Sequence, residues 1–250
     1  MTDTGIRRRT SKQERMYDIP GYGMFPSVTT VLQVVAKPAL VPWAKKISLE
    51  KVRSELTDVA NDFPHVVLEP EWIDEMLESA RKRPDQVRDE AGDIGTRAHG
   101  LIEAYLKGEM TEETHIPDDL SQAFDNFLNW QTETDLEFRG SEIVVWDEKA
   151  GYAGTLDILA ENNDGYVIID IKTGSGIYPE MSMQVAAYSM AWQWRNPEIP
   201  VSTAYVVRLG KNEPDIEVKE VDVLKGMEGF RGALQLWKTL NRKEELFRDV

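Results

Sequence analysis

Three short runs rich in β-branched and apolar residues follow one another closely: Ile143-Val144-Val145-Trp146, residues 152–160 and residues 166–171. A glycine and the Asn162-Asn163-Asp164-Gly165 cluster punctuate them, which is the pattern of strands joined by tight turns. The spacing therefore predicts a three-strand meander. Downstream, residues 179–194 have helical character before Pro197, residues 203–209 and 216–221 supply two more strands, and 226–240 predict a closing helix. The expected fold class is α/β, with a central mixed β-sheet of about five strands flanked by helices.

Upstream the pattern is helical. Ser27, Thr29 and Thr30 precede an apolar run and predict a short capped helix, interrupted by Pro38 and Pro42. Residues 43–59 and 71–82 carry apolar stripes, with Pro64 between them. Residues 84–106 place Val87, Ala91, Ile94, Ala98, Leu101, Ile102 and Tyr105 at helical spacing, and 120–131 predict another amphipathic helix. Three regions are expected on this basis: a flexible basic arm over 1–22, a helical extension over 23–83 and a catalytic core over 84–250.

Several chemistries are excluded by composition. The 250-residue chain has no cysteine, so disulfides, zinc-thiolate sites and Cys-ligated iron-sulfur clusters cannot form. No apolar stretch reaches the roughly 20 residues that cross a bilayer, so no membrane partner is expected and the location is expected to be cytoplasmic. The net charge is −15, unfavourable for a general nucleic-acid coat. Its distribution is uneven: residues 1–53 hold ten Lys/Arg against four acids, a surplus of six, which leaves −21 for the remainder. A basic N-terminal face beside an acidic body suits local guidance of a polyanion, and equally suits a solvated tail at Arg7-Arg8-Arg9.

The strands carry the chemistry. Asp157 lies in Gly154-Thr155-Leu156-Asp157, and Asp170-Ile171-Lys172 follows across the Asn-Asp-Gly turn. Residues two apart in a strand share a face, so Asp170 and Lys172 point together. Two carboxylates on adjacent strands repel one another unless a cation lies between them, and carboxylate oxygens suit Mg²⁺ or Mn²⁺. A surface hairpin with Lys172 paired to either aspartate is the plainer alternative. Two helical pairs add to the pattern: His99 with Glu103, one turn beyond Gly95, and Gln184 with Tyr188. Each is compatible with an ordinary buried or polar stripe when taken alone.

In this order, Gly95-x3-His99-x3-Glu103, Gly154-Thr155-Leu156-Asp157, Asp170-Ile171-Lys172 and Gln184-x3-Tyr188 resemble the RecB-like branch of the PD-(D/E)XK nucleases. This branch includes the mitochondrial genome maintenance exonuclease and phage and lambda-type exonucleases. The likeness spans roughly residues 25–210. It departs from the usual pattern in having Leu156 before the first aspartate and Asp170 in place of the commoner glutamate.

The resemblance implies a restriction-endonuclease-like core and a divalent-metal-dependent deoxyribonuclease. It implies an exonuclease acting on single-stranded DNA or DNA ends in recombination, repair or replication, using one or two Mg²⁺ or Mn²⁺ ions. His99, Glu103, Asp157, Asp170 and the Ile171 carbonyl would hold metal. Lys172 would orient water and stabilise charge, Glu103, Asp157 and Asp170 being its catalytic companions, while Gln184 and Tyr188 position substrate. DNA is the expected partner, and a recombination or replication protein and a homo-oligomer are compatible with it. The alternatives are a structure-specific endonuclease, a non-catalytic nuclease-like module binding DNA or protein, and an acidic DNA mimic.

Overall fold

The computed structural model describes residues 5–11, 14–63, 65–111, 113–211 and 214–241. Pro64 and Lys12, which figure in the sequence reading, lie outside them. Two compact units are present: residues 1–35 with 95–250, and residues 36–94. These divisions differ from the sequence-based boundaries after residues 22 and 83.

In the larger unit the principal sheet has the order β4-β5-β6-β7-β8, built from Glu137–Asp147, Tyr152–Asn162, Gly165–Lys172, Val201–Leu209 and Ile216–Glu220. All neighbours are antiparallel except β6 and β7, which run parallel. The turn after β5 forms for a local reason. Asn162 Oδ1 accepts from the amides of Asp164 and Gly165, and Gly165 adopts φ +144° with the Pro200 carbonyl where a Cβ would stand. A parallel neighbour needs a crossover, and the helix α5 (Pro179–Arg195) provides it between β6 and β7.

Helices cover both faces of this sheet. Against one face α5, α6 (Val223–Leu240) and the short α1 (Val28–Val31) bury Leu156, Ile168, Val185, Tyr188 and Phe230. On the other, α4 (Asp118–Glu133) and the last turns of α3 bury Ile102, Phe124, Phe127, Ile158, Ile169 and Ile171. The α/β class, the five mixed strands and the flanking helices thus agree with the sequence reading.

Two expectations are corrected. The stretch read as a flexible arm contains two strands, β1 (Arg7–Thr10) and β2 (Arg15–Ile19), and a third, β3 (Gly23–Pro26), follows it directly, the three being paired antiparallel in that order. Tyr17 and Ile19 are each 1% exposed and pack with Ala153 of β5. Burying one such side chain contributes about 1.5–3 kcal/mol, enough to hold a short hairpin against the larger sheet. The second correction concerns Pro84, read as a helix start. It lies inside one continuous helix, α3 (Pro70–Leu106). Proline forfeits a single backbone hydrogen bond there, and the surrounding Glu, Ala, Lys and Arg residues are strong helix formers that carry the helix through.

The smaller unit contains α2 (Leu40–Asp62) and the first part of α3. No residue of α2 is buried. Exposed (i, i+3) and (i, i+4) pairs, among them Lys46–Glu50, Lys51–Glu55 and Glu78 with Arg81 and Lys82, line its helices. Such pairs each contribute only about 0.3–0.5 kcal/mol. Among the described residues no helix is long and apolar enough to cross a membrane.

Candidate active site

A regular strand alternates its side chains, so Leu156 and Ile158 should share a face. They do not: Leu156 belongs to the core beneath α5 and Ile158 to the core beneath α4. The pleat of β5 therefore reverses at Asp157. Strand β4 reverses at the matching point. Ser141 pairs with Ile158 and Ile143 with Leu156, which places Glu142 across from Asp157, and Glu142 has φ +51°. Among the described residues it is the one non-glycine residue with positive φ. Left-handed backbone costs a residue with a Cβ about 1–2 kcal/mol, and such outliers concentrate at functional sites.

The partner strand opens at the same level. The ladder between β5 and β6 ends at Ile158–Ile169, and the next β6 amide to face β5, that of Ile171, donates to Asp157 Oδ2 at 2.8 Å instead of to backbone. The Ile171 carbonyl lies 2.9 Å from His99 Nε2, and His99 Nδ1 is 3.5 Å from Asp157 Oδ2. His99 reaches this position because α3 runs close to the end of β6. A Cβ built on Gly95, one turn earlier, would meet Thr173 Oγ1 at 3.4 Å.

On the α5 side of the sheet, Asp170 is fully buried, with Lys172 Nζ 2.5 Å from its Oδ2. That contact is an ion pair without good hydrogen-bond geometry, so Oδ2 otherwise has no partner. Gln184 Nε2 donates to Asp170 Oδ1 at 3.0 Å and lies 3.1 Å from the Tyr188 hydroxyl. Tyr188 fits there because Gly154 leaves room: a Cβ at 154 would come within 2.4 Å of Tyr188 Cε1.

The electrostatics follow from this crowding. Burial alone would depress the His99 pKa, but the Asp157 carboxylate overrides it and raises His99 to about 9. Burial, countered only in part by Lys172, raises Asp170 to about 6. Asp157 moves the other way. Burial opposes ionisation, yet the His99 charge and its hydrogen bond, helped by Lys172 and the Ile171 amide, hold the carboxyl below its ordinary value. Lys172 is half-buried, and although desolvation works against its charge, Asp170 and Asp157 keep its ammonium above the usual lysine pKa. It is thus a fixed cation and not a base. Burial, then Asp157, raises Glu142.

Donor atoms of His99, Glu142 and Asp157 all lie within 4.8 Å of one another. They border a cavity of about 10 Å³, also lined by Glu103, Ser141 and Ile171, which is room for about one water-sized sphere. Ser141 Oγ is buried there without a hydrogen-bond partner. Around this point nearly everything accepts: carboxylate oxygens, a carbonyl and an imidazole. Without a metal, the raised His99 pKa favours a charged ring between Asp157 and the Ile171 carbonyl, whereas the neutral ring is itself a donor atom for a cation. A divalent cation fits the same donor set, and oxygens with one nitrogen suit Mg²⁺ or, better, Mn²⁺.

Six of the seven side chains singled out in the sequence fall into two groups, His99 and Asp157 with the Ile171 backbone at the cavity, and Asp170, Lys172, Gln184 and Tyr188 on the α5 side of the sheet. Glu103 lines the cavity, but its carboxylate is paired with Lys107, one turn along α3. The acid that joins His99 and Asp157 is instead Glu142, to which the sequence reading gave no role. Its one-dimensional signal was faint: a lone acid directly before the apolar run Ile143-Val144-Val145-Trp146. Among the tryptophans, Trp130 is buried, Trp192 packs edge-on to Tyr166, and Trp194 is exposed beneath Lys149.

Neither a protein-family model nor a curated protein sequence matches the chain. Among solved structures it is similar to a candidate exonuclease from Eubacterium rectale, at 10% identity over 62% of this chain and 69% of that one, with a TM-score of 0.42. It is also similar to an alkaline exonuclease from Laribacter hongkongensis, at 15% identity over 60% and 84% of the two chains, with a TM-score of 0.33.

Proposed function

We propose that this chain is a divalent-metal-dependent nuclease that hydrolyses phosphodiester bonds, most specifically an exonuclease acting on single-stranded DNA or DNA ends. One observation carries the reading: His99, Glu142, Asp157 and the Ile171 carbonyl converge at the fork between β5 and β6, with the Asp170–Lys172 pair beside them. A structural ion pair needs only one acid and one base. Three buried or half-buried acids around one cavity are a poor stability device, because each unpaired buried charge is costly. They are reasonable if a cation neutralises them.

His99, Asp157, Asp170, Glu142 and the Ile171 carbonyl would hold Mg²⁺ or Mn²⁺. When bound, the ion supplies Lewis acidity and a water of lowered pKa. Lys172 stays protonated, so its task is to orient that water and to face the negative charge that grows on the phosphate oxygens. Gln184 fixes the Asp170 carboxylate through Oδ1 and leaves Oδ2 facing Lys172. Tyr188 stays a phenol at neutral pH, because burial raises its pKa well above the ordinary value, and it can donate a hydrogen bond. The exonuclease preference draws on the motif order alone.

The test is direct. End-labelled single- and double-stranded DNA is incubated with Mg²⁺, Mn²⁺ or EDTA, using wild type and Asp170→Asn. Metal-dependent products shortening from one end, absent with EDTA and with the variant, are expected. Cleavage that persists in either case refutes the mechanism, and internal nicks favour an endonuclease.

A further inference from the structure

Strand β1 is the outer edge of the three-stranded sheet, and all four of its residues, Arg7-Arg8-Arg9-Thr10, are exposed. Residues opposite one another in an antiparallel pair share a face. Arg8 is paired with Tyr17, whose hydroxyl lies 2.8 Å from Thr155 Oγ1 on β5. Ile6, two positions earlier and so on the same face as Arg8, packs in the apolar cluster of Tyr17, Ile19 and Ala153. Arg8 therefore faces the principal sheet, and Arg7 and Arg9 face away. Thr155 is paired with Val144; Asp157 and Glu142 lie two residues farther along their strands, roughly 7 Å at about 3.3 Å per residue. Against burial and against Asp157, the Arg8 charge favours ionisation of Glu142, which sets it within electrostatic reach of that carboxylate.

Arg8 shares with Arg7 the lack of an ion-pair partner among the described residues, and what distinguishes it is that it also faces the principal sheet. The chain has 44 acids against 29 basic residues, and Arg9 on the opposite face takes Asp18 at 3.7 Å. Among the described residues no ion pair or hydrogen bond engages the Arg8 guanidinium. A cation held by a paired strand, beside a carboxylate cluster and bonded to none of its members, is placed to receive an anion from outside. The planar guanidinium fits a phosphate through two parallel hydrogen bonds.

We infer that Arg8 binds a backbone phosphate of the nucleic-acid chain flanking the bond to be cut, making β1 one wall of the substrate path. This rests on the nuclease reading and adds a substrate contact to it. Because the phosphate is a neighbour of the reacting one, Arg8 is a positioning residue, and its loss should raise KM and leave kcat nearly unchanged.

The experiment measures binding of a labelled single-stranded oligodeoxynucleotide by anisotropy across a range of KCl, with Ca²⁺ as the ion. Wild type, Arg8→Ala, Arg8→Lys and Arg9→Ala are compared, with melting midpoints as the folding check and steady-state cleavage in Mn²⁺ alongside. Arg8→Ala should bind about tenfold more weakly, the order expected for one charge-assisted contact, and the slope of log K against log salt should shrink by about 0.7. Arg8→Lys should recover most of the slope and part of the affinity, and Arg9→Ala should match wild type. Unchanged affinity and slope in a folded Arg8→Ala protein overturn the inference while cleavage by wild type stands. Binding that depends on Arg8 in a wild-type protein unable to cleave refutes the nuclease reading and spares the contact. A wild type that binds no oligonucleotide refutes both.

Discussion

Replacement of Glu142 by glycine and by alanine offers a test whose sign is unusual. At an ordinary strand position glycine is less stable than alanine by roughly 0.5–1 kcal/mol, because it has more backbone freedom to lose. Glu142 is at φ +51°, where a Cβ costs about 1–2 kcal/mol and glycine is at ease. Both substitutions remove the same carboxylate and the same half-buried methylenes, so those contributions cancel in the comparison. Subtracting the entropic cost from the strain leaves Glu142→Gly more stable than Glu142→Ala by up to about 1.5 kcal/mol, with a midpoint of roughly 0.75 kcal/mol. For a chain of this size that midpoint is about 1.5–3 °C in the melting temperature of the metal-free protein. The unit to follow is the one containing the sheet, by near-ultraviolet circular dichroism of Trp130, Trp146 and Trp192. Glu142→Gln keeps the strain and removes only the charge facing Asp157. All three variants should bind Mn²⁺ at least about tenfold more weakly by calorimetry, as changes of metal-site residues do. An alanine variant as stable as the glycine variant would show that the backbone stores no strain here. Undiminished Mn²⁺ affinity would remove Glu142 from the donor set.

Two further predictions concern protons and packing. His99 is raised from 6.5 to about 9, so its contribution to stability is fully present below pH 6.5 and is lost as pH climbs through about 9. The metal-free protein should therefore lose thermal stability across that window, while saturating Mn²⁺ should abolish the loss and release close to one proton per ion at neutral pH; calorimetry in buffers of different ionisation enthalpy measures the proton, and no release would contradict a metal-bound imidazole. Gly154→Ala would set a Cβ 2.4 Å from the Tyr188 ring, and such overpacking costs about 1–3 kcal/mol. If the ring yields, Gln184 loses its companion and kcat falls; wild-type stability and activity together would show that the site tolerates a displaced Tyr188.

The sequence made the middle of the sheet legible because its turns are local. Asn162 caps the β5–β6 turn through its own side chain, and alternating Asp170, Ile171 and Lys172 sort themselves to two faces without help from distant residues. The N-terminal sheet was hidden for the opposite reason. Its polar and arginine-rich strands are stabilised by Tyr17 and Ile19 against β5, more than 130 positions away, and no window along the chain contains that contact. Glu103 illustrates a different limit. Its (i, i+4) relation to His99 was visible, but so was its equal relation to Lys107, and spacing alone does not say which neighbour a helical glutamate chooses.

Glu142 shows why the remaining ligand escaped. In an unbroken sheet His99, arriving with the helices on one face, and Asp170 and Lys172, facing α5 on the other, could not serve one centre. A strand two layers deep would separate them. The centre exists because β4 and β5 reverse their pleat at Glu142 and Asp157, and because β5 leaves its ladder with β6 at Ile158–Ile169. Through that fork Asp157 touches His99 and the Ile171 amide at once. The reversal depends on register between strands, which a linear pattern does not encode. It follows that stiffening the β4–β5 pairing beside the reversal should damage the site even with every ligand retained. Ser141→Val, which gives a buried strand position a β-branched residue and removes the unpartnered Oγ, tests this. Metal-free stability should rise and Mn²⁺ affinity should fall, whereas parallel changes in both would indicate that pleat reversal and cation binding are independent.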